Sequence, residues 1–127
     1  MSTSEIATVL AWHDALAAGD VDTLLDLSSD DVEVASVAGA TQGIAALREW
    51  AQHSAPTLVP GRMFVHNGVI VVEQQASSAE QQLSHPIATS FRVVHDQVTS
   101  VFRHDNLQEA LEATGLGVRD EVGETAR

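Results

Sequence analysis

Between Ser4, read as an N-cap, and Gly19, a helix stop, the apolar residues Ile6, Val9, Leu10, Leu16 and Ala17 recur at helical spacing. Asp20 then caps a short second helix, Val21 to Leu27, with Leu24, Leu25 and Leu27 turned inward. Ser28-Ser29-Asp30-Asp31 reads as a turn, Val32 to Val37 as a strand, and Gly39 to Gly43 as a loop. Ile44, Leu47, Trp50 and Ala51 fit a third helix that ends before Pro56. The pattern then changes to strands. Arg62–His66 and Val69–Gln75 flank Asn67-Gly68, a strong hairpin signal, and Ile87–Val94 and Gln97–His104 flank His95-Asp96. A polar connection spans 76–85. A last helix, Asn106 to Thr114, shows Leu107, Ala110 and Leu111 on one face and stops at Gly115. Helices segregated from a run of antiparallel strands predict an α+β architecture in one domain over residues 1–116, with a polar tail over 117–127.

The strands carry a second message. Val69-Ile70-Val71-Val72 is apolar on both parities. Ile87, Phe91 and Val93 stand against Ala88, Ser90 and Val94 in the same way. A sheet with one wet face alternates cleanly, so this one needs cover on both sides. Three helices can cover one face, and a second copy of the chain can cover the other. The expectation is a homodimer through the outer face of the sheet.

Charge narrows the partners. The 127 residues hold 18 acids against six bases, all of them Arg, for a net charge of −12. Residues 1–37 and 105–127 carry most of the acids, while 38–104 balance to zero. Such a chain does not track phosphates, so nucleic acid and anionic membrane surfaces are excluded as partners. Without Cys there is no disulfide framework, Cys-ligated zinc or thiolate nucleophile. MSTSEIATVL lacks a basic leader, and no apolar run nears the ~20 residues of a membrane span. The expected location is cytoplasmic.

The segment AWHDALAAGDVDTLLDLSSDDVEVASVAGATQGIAALREW resembles the opening of the nuclear transport factor 2-like superfamily, which includes ketosteroid isomerase, the SnoaL-type polyketide cyclases and limonene epoxide hydrolase. FRVVHDQVTSVFRHDNLQEALEATGL resembles its closing hairpin and strand, so the likeness covers about residues 5–116. It implies a cone-shaped, cystatin-like α+β fold, with a curved mixed or antiparallel sheet wrapped around an N-terminal helix and an apolar pocket at the open end. The anchors "AGD", "DDVEV" and "G…G…LREW" mark the fold and are not chemical motifs. The ketosteroid isomerase Tyr and two Asp fall at Trp12, Ala88 and Ser36, so that reaction is not expected. The epoxide hydrolase Arg and two Asp fall at about Gly68, Ile70 and Arg103, and that triad is absent too. The base Asp that SnoaL-type cyclases place at the end of the last strand has a counterpart in Asp105-Asn106.

The candidate chemistry is sparse. The dipeptides His13-Asp14, His95-Asp96 and His104-Asp105 are not dyads, because sequence neighbours diverge on helices and strands. His13 lies on the apolar stripe of the first helix, either as a core histidine with one backbone partner or as a base whose pKa burial lowers. Trp12 beside it is a pocket wall or plain core. On the last strand Val101, Arg103 and Asp105 share one parity, and the family register turns them inward. Arg103 and Asp105 would then stand roughly 7 Å apart near the mouth. There the pair is either a rim ion pair, or Asp105 a base and Arg103 an oxyanion partner. On the other register His104 and Asn106 face inward instead. Glu73, odd among apolar neighbours, suits an ion pair with Arg62 or Arg92. No spacing suggests a metal site or a phosphate loop.

These residues lead to two competing expectations. One is a cofactor-free acid–base enzyme that cyclises, isomerises, hydrates or dehydrates a small hydrophobic molecule. Its catalytic set would be Asp105, Arg103 and His13. Its pocket would be lined by Trp12, Leu16, Ser36 and Ile70, and on the sheet by Val72, Ala88, Ser90 and Val101. The other is a non-catalytic ligand-binding or dimerisation module of the same fold. Neither needs a metal.

Overall fold

The computed structural model describes residues 2–36, 39–53, 57–77 and 85–122. Helix α1 (Ser2–Ala18) buries Val9, Trp12 and Ala15, spaced three apart on one face, and ends where Gly19 turns left-handed at φ +71°. Asp20 then caps α2 (Val21–Asp26), its carboxylate accepting from the Thr23 amide at 3.3 Å and the Thr23 hydroxyl at 2.8 Å. Helix α3 (Ile44–His53) follows the first two strands. Its Leu47 is fully buried among the side chains of α1 and the sheet.

Six strands form one curved, unclosed sheet: β1 (Ser28–Ser36), β2 (Gly39–Gln42), β3 (Thr57–His66), β4 (Val69–Ser77), β5 (His85–Val94) and β6 (Gln97–His104). Their spatial order is β2-β1-β6-β5-β4-β3, with β1 and β6 parallel and every other pair antiparallel. Both sequence-predicted hairpins form. Asn67 and Gly68 take φ +50° and +81°, and His95 and Asp96 take +52° and +63°. Two consecutive positive φ values match the right-handed twist of the flanking strands. Parts of three stretches read as turn, loop or connection are strand instead: of the connection 76–85, Ala76 and Ser77 end β4 and His85 begins β5, while 78–84 lie outside the described residues. Ser28–Asp31 begins β1 through an irregular register against β6, and Gly39–Gln42 is edge strand β2.

The double apolar parity has a direct explanation. One face of the sheet, carrying Met63, Ile70, Val72, Phe91 and Val101, packs on Val9, Trp12 and Ala15 of α1 and on Leu47. The other face carries Phe64, Val71 and Ala88, and α4 (Leu107–Thr114) folds back across it with Ala110, Leu107 and Leu111. Asn106 caps this helix, accepting from the Glu109 amide at 2.9 Å, and Gly115 ends it at φ +77°. The chain's own last helix thus supplies outer cover over β4 and β5, so the apolar pattern by itself does not require a second copy there.

The predicted tail also needs correction. After Leu116 a 3-10 turn (Val118–Asp120) leads Glu121 and Val122 back against β3, where Val122 packs on the interior cluster. Residues 117–122 are therefore part of the folded body, and 123–127 lie outside the described residues. Among the described residues, no helix is long and apolar enough to cross a membrane.

Candidate functional site

The carboxylate of Glu5, in the first turns of α1, lies beside Gly68 at the β3–β4 turn. The helix therefore runs from that turn toward the far ends of β4 and β6. One turn beyond Val9 it delivers His13, 3% exposed, onto the inner face of β4 and β5. Strand alternation puts Ile70, Val72 and Gln74 of β4 on this face, and Val72 stands opposite Thr89 of β5. In an apolar interior the three polar side chains need partners, and they find them in one another.

The hydrogen bonds run in one direction. His13 Nδ1 lies 2.9 Å from the Val9 carbonyl oxygen, which can only accept, so Nδ1 carries the proton. Nε2 is then an acceptor, and the Gln74 amide donates to it at 2.7 Å. The Gln74 carbonyl accepts from the Thr89 hydroxyl, also at 2.7 Å. Burial pushes the His13 pKa below its ordinary value, outweighing the Val9 carbonyl and Asp14, which act in the opposite direction. His13 is thus a neutral imidazole with a defined tautomer. Phe91 lies 5.4 Å away and Trp12 5.9 Å, ring to ring.

Trp12 is fully buried. Its indole N–H donates to Ser28 Oγ at 3.2 Å, and the ring packs on Phe91 at 5.2 Å and Trp50 at 6.0 Å. It is part of the floor of the interior. Leu16 is half-buried against the same cluster, and Ile70, Val72 and Val101 belong to it. Ser36 ends β1 opposite Gly39.

The register of β6 resolves the parity question. Thr89 pairs with Arg103 and Phe91 with Val101, so Arg103 shares the inner face with the His13–Gln74–Thr89 chain and stands beside its last member. Arg103 is half-buried. Asp105, just past the strand, is exposed. His104 faces outward, and Asn106 is the cap of α4 rather than a site residue. Ala88 and Ser90, expected in the pocket, lie on the opposite face for the same reason: they pair with His104 and Phe102. Ala88 is fully buried in the α4 cluster. Ser90 Oγ lies 3.2 Å from His104 Nε2 and borders an outer cleft of about 200 Å³ with Arg92, Ser100 and Thr114. Burial also lowers the His104 pKa, against the opposing charges of Glu109 and Asp105. Glu73 lies on this outer face, where its charge favours the Arg62 cation, but the direct ion pair of Arg62 is with Glu121.

Gln74 and Thr89 were not among the sequence candidates. The signal for Gln74 is its parity with Ile70 and Val72, which makes it the polar member of an inward set. Among the described residues, no three His, Asp or Glu side chains gather as a metal-ligand set.

A family model of the SnoaL-like domain matches residues 9–108. No curated protein sequence matches the chain. Among solved structures, a proposed polyketide cyclase from Sinorhizobium meliloti superposes with a TM-score of 0.72 at 18% identity, over 77% of this chain and 94% of that one. A nuclear transport factor 2-like protein of unknown function from Cytophaga hutchinsonii gives 0.73 at 10% identity, over 84% and 94%. A proposed ketosteroid isomerase from Kribbella flavida gives 0.72 at 15%, over 80% and 76%. At these identities the likeness shows the fold.

Proposed function

The chain belongs to the SnoaL-like domain family, and from that premise we propose that it binds a small, largely apolar ring-bearing molecule at the open end of the cone and carries out cofactor-free acid–base chemistry on it. The observation that carries this reading is the His13–Gln74–Thr89 chain, a directed polar network built into an otherwise apolar interior. Such a network, with Arg103 beside it on the same face, can orient a carbonyl or hydroxyl of a ligand and favour charge that develops on its oxygen. Cyclisation, isomerisation, hydration and dehydration all need a proton moved at carbon and an oxyanion stabilised. In this reading Asp105 moves the proton, Arg103 stabilises the oxyanion, and His13, with both ring nitrogens engaged, acts through the Gln74 amide that it orients above the Trp12 floor. The homodimer through the outer face and the cytoplasmic location belong to the same reading.

A second reading has its own support. Asp105 is exposed, and both ring nitrogens of His13 are already engaged within the protein. A non-catalytic binding module would look like this. Native mass spectrometry of the purified chain, followed by isolation of any bound molecule, separates the two. The enzyme reading expects a bound ring compound that the protein converts, with Asp105→Asn abolishing conversion while the compound still binds. Binding without turnover in the unmodified chain would establish the module instead. Loss of binding neither on Gln74→Leu nor on Arg103→Leu would remove the site.

A further inference from the structure

Strand β3 is one edge of the sheet, and a free edge offers unpaired N–H and C=O groups to any other strand. The first half of β3 is blunted by Pro60, which has no N–H, and by the irregular register between Pro60 and Met63. The second half, Met63 to His66, has no proline, and the chain has no Lys to guard it. Its cover comes from the end of the described chain. Glu121 pairs antiparallel with Phe64, and the Val122 N–H donates to the Met63 carbonyl at 2.8 Å. Arg62 clamps Glu121 through two bonds, Nε to Oε2 at 2.9 Å and Nη2 to Oε1 at 3.0 Å, with its guanidinium 5.2 Å above the Phe64 ring. Asp120 accepts from the Gly117 amide at 3.0 Å, fixing the turn, and lies 3.7 Å from His66 Nδ1.

We propose that the outer edge of β3 is a strand-acceptor surface for a second copy of this chain, and that residues 118–122 occupy it in cis and keep it closed. The occupant in trans is argued from charge and register. In a chain of net charge −12 neither edge strand carries an acid, and β3, ten residues against four for β2, is the longer edge along which two copies can meet. An antiparallel pair centred on Phe64 sets Arg62 against His66 of the second copy and keeps the two Arg62 charges apart. Val59, 58% exposed on the same strand, adds apolar surface beyond the capped half. The Arg62–Glu121 clamp is the element that decides between the closed and open edge.

The test is Glu121→Arg in the full chain, which sets like charges face to face, beside a chain ending at Gly117. Light scattering after size exclusion should give both variants twice the mass of the unmodified chain at equal concentration. Amides of β3 should exchange more slowly in the larger species. Adding Arg62→Glu to Glu121→Arg restores the pair with reversed sign and should return the mass to that of the unmodified chain. Should the shortened chain fail to fold, the charge-reversed full chain decides. An unchanged mass across the accessible concentrations overturns the proposal, and so does a gain in mass without new protection in β3.

Discussion

His13 titrates with a defined sign. Its unfolded-state pKa is near 6.5, and burial lowers the folded value. Above pH 6.5 both states are neutral there, and the full stability is present. As the pH falls below 6.5 the unfolded chain takes up the proton first, so stability drops until the folded imidazole protonates too. His104 is shifted in the same direction, also by burial, and adds to the slope. Thermal melts between pH 7 and about pH 5 should show a falling Tm, flattened in part by His13→Gln and in part by His104→Asn. Gln74→Glu places a carboxylate against His13 Nε2 and should reverse the His13 contribution, which is then lost as pH rises. A Gln74→Glu chain with an unchanged slope would contradict the contact between the side chain at 74 and His13 Nε2. Gln74→Leu leaves His13 Nε2 and the Thr89 hydroxyl buried without partners, at about 1–3 kcal/mol for each group left unpaired; urea unfolding measures it. At this scale the site was half legible. His13 stood out because a titratable residue on an apolar helical stripe is conspicuous. Gln74 and Thr89 did not, because a Gln or Thr in a strand marks a buried network only once its partners on other elements, here His13 of α1, are in place.

Elements were legible where local chemistry agrees with the fold. Strand β6 and the start of α3 fall where the pattern put them, because a tight turn bounds the first and Gly43 introduces the second. Strand β2 and the first part of β1 escaped, since Ser, Asp, Gly and Thr favour turns, and only the pairing of β2 with Glu33–Ser36 and of Ser28 with Val98 of β6 makes them strands. The same logic predicts which turns resist substitution. At Gly68, φ is +81° and an added Cβ would stand 3.2 Å from the Val93 carbonyl oxygen. Gly68→Ala should therefore cost roughly 1–2 kcal/mol in equilibrium unfolding; a neutral result would mean that the turn relaxes away from the left-handed region. Asn106→Ala removes the cap of α4 and should cost about 1 kcal/mol. Because α4 covers Val71 and Ala88, its loosening should also appear as faster amide exchange in that helix before global unfolding.

For the whole molecule the governing quantity is the charge of −12. It is concentrated at the two ends of the sequence, and the fold brings those ends onto one body: α1 packs on the inner face of the sheet and α4 on the outer. Like charges gathered on a small body repel, and that repulsion favours the expanded chain. Salt opposes it. Raising monovalent salt from about 0.01 M to about 0.1 M shortens the screening length from about 30 Å to about 10 Å. Acids on opposite sides of the body then stop sensing each other. The exposed Arg62–Glu121 pair weakens over the same range, but a surface pair contributes little, and its two charges stand within contact distance where screening is least effective. Repulsion among many acids should therefore dominate, and Tm measured at neutral pH should rise with salt. Arg119→Glu, which adds to the excess at an exposed position, should steepen the rise. A Tm that falls with salt would mean that the few Arg-centred attractions outweigh the acidic excess, and that the surface is organised around its six cations rather than its acids.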